Sequence, residues 1–390
     1  MQIDDLGMNG EGIAHENKKA VFVPFYLPGE VVENGELLKK SEFRITPVCS
    51  YFKTCGGCHL QHLKYEETLK FKEDKIKNIF KKFKIKLKVL PCEPSPKIYN
   101  YRNKLTLKCD GEKLGLYKIN THEVVDIAEC KISSNEINRA IKIIREINLS
   151  NVREIILQNY LNNILITFKI IDKNYNNIIP LKDKLKEFKS YGIFVEYKNN
   201  TIFQMGEKYI LKEEFNIKYP FTNNSFYQIN DEVKNIIYSD ILANISTSDK
   251  VLDAYSGSGL LSACMARKAK LVTGVEIVPS ATQNANKLKE LNGLKNLQNI
   301  NGDFVKELIY KINFNVCVLD PPRAGVNKEA IELIMKKRPQ KVIYLSCNPA
   351  TLARDLCLFC ERYNISSLKP YDMFPNTHHV ETLAVLELKN

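Results

Sequence analysis

The pattern of apolar and polar positions divides the chain into three stretches. Residues 1 to about 48 hold short strand-like runs such as Ala20-Val21-Phe22-Val23-Pro24, with Leu27-Pro28-Gly29-Glu30 as a turn, so a small β module is expected. Between residues 64 and 83 apolar side chains recur at helical spacing. Leu69, Ile76, Ile79, Phe80 and Phe83 fall on one side and lysines on the other, and Pro91, Pro94 and Pro96 end the segment. From 105 to 215 short strands such as Glu154-Ile155-Ile156-Leu157 and Ile164-Leu165-Ile166-Thr167-Phe168 alternate with helical pieces, which predicts an α/β middle domain.

From Phe221 the alternation becomes regular. Strands are predicted at Val251–Tyr255, Leu271–Glu276, from Val316, at Val342–Cys347 and at Leu383–Leu388. Helices are predicted at about Leu260–Arg267, Ala281–Leu291 and, behind Pro349, Ala350–Arg362. This order predicts a doubly wound, Rossmann-like parallel sheet with ligand at the strand carboxyl ends. The expected fold is therefore α/β, with a β module at 1–48, a central domain at 49–220 and a doubly wound domain at 221–390.

With 390 residues and 44% hydrophobic content, a globular protein of two or three domains is expected. No apolar run reaches transmembrane length, and Met1-Gln2-Ile3-Asp4-Asp5 lacks a signal-peptide pattern; a cytoplasmic location without membrane association is expected. The net charge of +12 fits a polyanionic partner such as RNA, although the chain is rich in Lys throughout. The densest run, Lys81, Lys82, Lys84, Lys86 and Lys88, reads as a solvated face. No obligate protein partner is evident. Eleven cysteines in a reducing compartment point to metal or catalysis before disulfides.

Four places carry chemistry. Cys347 ends the strand Val342–Cys347 just before a helix; the positive helix end there favours thiolate, and the bland alternative is a buried structural cysteine. Cys49, Cys55 and Cys58, the last two flanking Gly56-Gly57, suit a metal or cluster loop. Cys130 is the best fourth ligand, with Cys92 and Cys109 as competitors, and spacing does not separate a [4Fe–4S] cluster from a Cys₄ zinc. Gly257 and Gly259 follow the first strand of the doubly wound domain, and Glu276 follows some twenty residues later, placed to accept hydrogen bonds from ribose hydroxyls. Without a third glycine or a basic residue in the turn, S-adenosylmethionine is favoured over a dinucleotide. Asp320-Pro321-Pro322-Arg323 is a rigid turn at a strand end, and Glu381 enters the last strand, where a carboxylate is odd unless exposed at a cleft. His378 and His379 read as surface or capping residues without catalytic duty. Tyr99-Asn100-Tyr101-Arg102-Asn103-Lys104 either stacks a base and holds phosphate or is a solvated edge.

Taken in order, six motifs resemble the RNA (uracil-5-)-methyltransferase family, in particular its 23S ribosomal RNA members. They are Cys49-x5-Cys55-Gly56-Gly57-Cys58, Asn224-Ser225-Phe226-Tyr227-Gln228-Ile229-Asn230, Asp253-Ala254-Tyr255-Ser256-Gly257-Ser258-Gly259, Asp320-Pro321-Pro322-Arg323, Ser346-Cys347-Asn348-Pro349 and Phe374-Pro375-Asn376-Thr377-His378-His379-Val380-Glu381. The resemblance implies that Gln228, Tyr255, Glu276 and Asp320 contact S-adenosylmethionine, with Asp303 near the adenine. It implies Cys347 as nucleophile, Glu381 as general base, and Cys49, Cys55, Cys58 and Cys130 as ligands of a [4Fe–4S] cluster. Leu260 departs from the family, where many relatives carry a polar residue touching the cofactor. Residues 5–30 resemble the start of a TRAM domain, an RNA-binding β-barrel; with about ten residues between Glu33 and Arg44 the module is truncated, and a β-hairpin cap is the alternative.

The implied reaction has a chemical logic. Carbon 5 of uracil is a poor nucleophile until a thiolate adds at carbon 6. The carbon 5 proton must then be removed by a base before the thiol leaves. The target base must also leave its stack to reach such a site. RNA cytosine-5 enzymes place a second cysteine in the Asp/Pro motif, and none is present here. Exocyclic-amine methyltransferases place an aromatic where Arg323 stands.

Overall fold

The computed structural model describes residues 1–223, 227–308 and 312–390, so Asn224 to Phe226 of the second motif lie outside the described residues. The N-terminal module has five short strands: β1 (Asp5–Leu6), β2 (Gly12–Glu16), β3 (Lys19–Val23), β4 (Val31–Glu33) and β5 (Glu36–Lys39). The first three form an antiparallel sheet and the last two a hairpin, packed around Ile3, Ala14 and Val32. Arg44 closes the module from outside: its Nη2 donates to the fully buried Glu30 carboxylate and to the Phe25 carbonyl, both at 2.7 Å.

Helix α1 (Tyr65–Lys82) has Glu66 and Glu67 in its first turn and Lys81 and Lys82 in its last, which suits the helix dipole. Its buried stripe is Thr68, Lys72, Ile76, Ile79 and Phe80. Two expectations change here. Phe83 is exposed, and a lysine, Lys72, lies inside the stripe with no accessible surface. Ile76, Ile79 and Phe80 join the core of the C-terminal sheet. Beyond the helix Lys84, Lys86 and Lys88 point to solvent while Ile85, Leu87 and Val89 pack inward, so the lysine run is a solvated face.

The central domain is a seven-stranded sheet in the order β12-β11-β10-β9-β6-β7-β8. Its strands are β6 (Lys104–Asp110), β7 (Lys113–Tyr117), β8 (Val124–Asp126), β9 (Val152–Tyr160), β10 (Asn163–Ile170), β11 (Ser190–Tyr197) and β12 (Asn200–Gly206). Helix α2 (Asn135–Ile144), capped by Ser134, lays Ile137, Ile141 and Ile144 into the same core as Ile155, Leu157 and Ile166. Only β10 and β11 run parallel, joined through the short helix α3 (Leu181–Lys184). The hairpin β13 (Ile210–Glu214) and β14 (Ile217–Phe221) leads out of this domain.

The C-terminal domain contains α4 (Asp231–Ala243), β15 (Lys250–Asp253), α5 (Leu260–Ala266), β16 (Leu271–Glu276), α6 (Pro279–Leu291), β17 (Leu297–Asn301), β18 (Val316–Leu319), α7 (Lys328–Lys337), β19 (Lys341–Ser346), α8 (Pro349–Phe359), β20 (Tyr363–Tyr371) and β21 (Glu381–Leu388). Its sheet order is β17-β16-β15-β18-β19-β21-β20, and β21 alone runs against its neighbours. The strands are apolar on both faces, as a sheet covered twice requires. Val316, Val318, Ile343 and Leu345 feed one core, while Cys317, Leu319, Val342 and Tyr344 feed the other. Strand order reverses at β15, flanked by β16 and β18, which is where an open α/β sheet binds its ligand.

Candidate active site

The turn after β15 is built by glycine. Gly257 has φ +53° and Gly259 φ +86°, a backbone region costly for other residues. A Cβ at Gly259 would stand 2.7 Å from the Ala285 Cβ, so α5 and α6 approach only because it is absent. Glu276, at the end of β16, turns its carboxylate back onto this loop. Its Oε2 accepts from the Gly257 amide at 2.9 Å and its Oε1 from Val278 at 2.8 Å, with further lone pairs left for a ligand. Tyr255 packs edge-on to Phe304, ring centroids 5.3 Å apart, and Asp303 follows β17 with Oδ1 accepting from the Val305 amide at 2.9 Å. Asp320 follows β18. Gln228 lies on a segment held by the central domain: Asn103 Nδ2 donates to the Gln228 carbonyl at 3.1 Å and its amide to Ile229 at 2.9 Å. Tyr255, Gly257, Gly259, Glu276, Asp303 and Asp320 thus all follow strand carboxyl ends around the switch point.

A residue given no role from sequence underlies this loop. Asp253 is buried and accepts from Ser262 Oγ at 2.5 Å. Burial pushes its carboxyl up to about 6, and burial followed by the nearby Asp253 charge pushes Asp320 up to about 7. Both carboxyls are thus held toward their neutral forms, chiefly by burial.

Cys347 and Glu381 come together through strand pairing. In the antiparallel ladder between β19 and β21, Ser346 pairs with Thr382. Cys347 and Glu381 lie one residue beyond that pair, and the Glu381 charge acts on the Cys347 thiol. The turn around Cys347 is tightly laced. Ser346 Oγ accepts from the Asn348 amide at 3.2 Å, and Asn348 Oδ1 caps α8 by accepting from Ala350 at 3.1 Å. Asn348 Nδ2 and Thr351 Oγ1 donate to the Arg323 carbonyl at 3.1 and 3.3 Å, joining the Asp320–Arg323 turn to the thiol.

Electrostatics correct the expectation of a ready thiolate. Burial raises the Cys347 thiol above its ordinary value and the Glu381 charge raises it further, while the Arg323 guanidinium pulls it down. Glu381 is 1% exposed rather than open at a cleft. Burial, then Asp320, holds its carboxyl well above the usual range, again with Arg323 opposing. Among the described residues its Oε2 has no hydrogen-bond partner. Arg323, noted from sequence only for what it is not, is therefore the cation that thiol and carboxyl share.

The strap before Glu381, residues 372 to 380, is gripped by all three parts of the chain. Lys72 of α1 is ion-paired to Asp372, and its Nζ also donates to the Phe374 carbonyl at 3.1 Å. Lys75 Nζ donates to the His378 carbonyl at 2.9 Å. Tyr101, far from offering a ring to RNA, is buried and donates to the Pro375 carbonyl at 3.1 Å. Asn230 Nδ2 reaches the Met373 carbonyl at 3.3 Å. His378 and His379 are half-buried rather than capping. The His378 ring lies 4.4 Å from that of His59 and 4.2 Å from that of His379, and its Nδ1 donates to the Asn9 carbonyl at 2.9 Å.

Cys49, Cys55, Cys58 and Cys130 line one cavity of about 50 Å³ in the central domain, whereas Cys92 and Cys109 do not. Burial raises the Cys55 thiol to about 11 and the Cys58 thiol to about 12, and in each the neighbouring thiols, Cys130 foremost, add to the rise. Among the described residues no three His, Cys, Asp or Glu stand close enough to hold a single metal ion. Four cysteines lining one cavity are a donor set that suits either a zinc ion or an iron–sulfur cluster. Thiolate ligation would relieve the raised pKa values.

Comparison with known proteins agrees with this geometry. The family model described as tRNA (Uracil-5-)-methyltransferase matches residues 64–389. The chain is 32% identical to an uncharacterized RNA methyltransferase of Halalkalibacterium halodurans, over 100% of this chain and 96% of the relative. It is 33% identical to an uncharacterized RNA methyltransferase of Clostridium acetobutylicum, over 99% of this chain and 96% of the relative. In fold it is similar to a tRNA (uracil-54, C5)-methyltransferase of Pyrococcus abyssi solved with S-adenosyl-L-homocysteine, with TM-score 0.81, 24% identity and 99% of each chain covered. Among the described residues no helix is long and apolar enough to cross a membrane. The chain belongs to the tRNA (uracil-5-)-methyltransferase family, S-adenosylmethionine-dependent enzymes that methylate carbon 5 of uracil in RNA.

Proposed function

We propose that the enzyme methylates a uridine of 23S ribosomal RNA, with Cys347 as nucleophile and Glu381 as base. The observation that supports this reading is the end of the β19–β21 ladder at Ser346 and Thr382, one residue short of Cys347 and Glu381, together with the Arg323 charge that acts on both.

The steps balance as follows. Cys347, as thiolate, bonds to carbon 6, and the carbon 5–carbon 6 electron pair moves toward the carbonyl oxygen at carbon 4. Carbon 5 then takes the sulfonium methyl as the sulfur–methyl bond breaks. The Glu381 carboxylate removes the carbon 5 proton, the double bond re-forms, and the thiolate departs. Arg323 supports both anionic forms against burial. Gln228, Tyr255, Gly257, Gly259, Glu276, Asp303 and Asp320 would bind the methyl donor around the switch point.

Cys49, Cys55, Cys58 and Cys130 would hold a [4Fe–4S] cluster; no redox step is needed, so its contribution is to fold the cysteine loop. A cytoplasmic setting would keep the cysteines reduced and available for such ligation. The cysteine set is what favours ribosomal RNA, because the family's ribosomal-RNA members carry it. A transfer-RNA substrate is the second reading, favoured by the fold match to the Pyrococcus abyssi enzyme.

Cys347→Ala is expected to abolish methyl transfer while S-adenosylmethionine still binds; methylation at the wild-type rate overturns the nucleophile. Mapping 5-methyluridine in 23S and transfer RNA from cells lacking the gene decides the substrate. Loss confined to transfer RNA refutes the ribosomal reading.

A further inference from the structure

One residue of the strap ties it to two separate segments. Asn376 has φ +67° and is 9% exposed. Its carbonyl accepts from the amides of His59 at 2.9 Å and Leu60 at 3.0 Å, the two residues that follow Cys58. Its side-chain Nδ2 donates to the Ile98 carbonyl at 2.6 Å, on the segment that leads into β6. Five residues later the chain reaches Glu381. The intervening turn is rigid: Thr377 Oγ1 donates to the Phe374 carbonyl at 2.8 Å and accepts from the His379 amide at 3.2 Å, and Val380 is buried in the sheet core.

These contacts leave the strap little freedom of its own. A shift of the Cys55–Leu60 loop moves the Asn376 carbonyl, and a shift of Asn376 moves the start of β21. The Asn side chain is doubly suited to the position. It tolerates the left-handed backbone, and it supplies a donor where the Ile98 carbonyl needs one. Glycine would also adopt φ +67°, so a glycine at this position keeps the backbone and isolates the side-chain tie to Ile98.

We propose that Asn376 is a positioning residue that sets the Glu381 carboxyl for proton removal and ties that setting to the cysteine loop. This rests on the roles given above to Cys347 and Glu381. Proton removal is the step most sensitive to where the carboxyl lies, because it is the step in which the carboxylate itself reacts. Loosening the strap should therefore stall the reaction after the RNA is covalently bound.

The test uses the full-length enzyme with S-adenosylmethionine and an RNA substrate in single-turnover experiments. The fraction of RNA held in a denaturation-resistant adduct is followed over time. Asn376→Asp keeps the size and backbone preference but sets an acceptor against the Ile98 carbonyl. Asn376→Gly keeps the backbone carbonyl bonds to His59 and Leu60 and loses only the side-chain tie. Adduct release is expected to slow by about tenfold to a hundredfold in Asn376→Asp and by less in Asn376→Gly, as for a misplaced catalytic group. S-adenosylmethionine affinity should stay nearly unchanged, since the recorded contacts of Asn376 are to His59, Leu60 and Ile98 rather than to residues around the switch point.

Glu381→Gln is the reference arm. Adduct in Glu381→Gln together with wild-type release in both Asn376 variants overturns the positioning role alone. No adduct in Glu381→Gln overturns the base assignment, and the proposal with it. A loss of S-adenosylmethionine binding in both Asn376 variants makes the residue part of the general fold and also overturns the proposal.

Discussion

The pairing of Lys72 with Asp372 offers the sharpest test of how the site is held. Both side chains have no accessible surface, and they join α1 to the strap across 300 residues of sequence. Replacing Asp372 with Leu leaves the Lys72 ammonium in the core with the Phe374 carbonyl, 3.1 Å away, as its remaining partner. Breaking a buried pair from one side costs about 3–5 kcal/mol, because a lone charge stays behind. An exposed pair would cost less than about 1 kcal/mol. Lys72→Met should cost a similar amount by leaving the carboxylate behind. The double variant removes both charges and should cost only about 1 kcal/mol against about 6–10 kcal/mol for the two single costs summed, a coupling energy of about 5–9 kcal/mol. Urea unfolding of wild type, both single variants and the double variant measures the cycle. Single variants that each cost under about 1 kcal/mol, or costs that simply add, refute the reasoning.

Three other outcomes follow from the site. Because burial raises both Cys347 and Glu381 and each acts in its deprotonated form, kcat/KM should rise as pH increases above 7, and Arg323→Ala should displace the rise to higher pH; a flat profile between pH 7 and 9 contradicts this. Gly259→Ala forces a side chain into φ +86° and against Ala285, at about 1–2 kcal/mol of backbone strain alone, so calorimetric S-adenosylmethionine affinity should fall by tenfold or more, and wild-type affinity would show that α5 and α6 yield easily. Cys130→Ser should lower bound iron and visible absorption in anaerobically purified protein while Cys92→Ser and Cys109→Ser leave both unchanged, and equal loss in all three would remove Cys130 from the ligand set.

The doubly wound domain was legible because its strands are apolar on both faces and are separated by recognisable turns. Gly257, Gly259 and Glu276 could be read because their spacing within one βαβ unit reflects a local geometry. Cys347 and Glu381 were each visible in their own motif, but their meeting depends on strand register, which no local pattern encodes. Lys72 was misread for a clear reason: a lysine on a helix is taken as solvated, and its partner is contributed by a distant strap. Tyr101 was misread in the same way, since an aromatic beside Arg102 and Lys104 looks like an RNA contact until its hydroxyl is seen bonded to Pro375. The helix end at Cys347 suggested thiolate, yet burial and a neighbouring carboxyl outweigh it. Helix α1 lies in chain order beside the central domain, while its apolar stripe belongs to the C-terminal sheet. Amphipathicity shows that a helix packs and does not show against what.

The reversed direction of β21 has a consequence for how the gene tolerates change. Were that strand parallel to its neighbours, its first residue would sit at the far end of the sheet, about 20 Å away for a six-residue strand. As it stands, inserting or deleting a single codon between Glu381 and Leu388 would slide the ladder and turn the carboxyl to the opposite side of the sheet. Length variation should therefore be barred from this strand, while a turn elsewhere on the surface, such as Gly111 at the tip of the β6–β7 hairpin, remains free to drift.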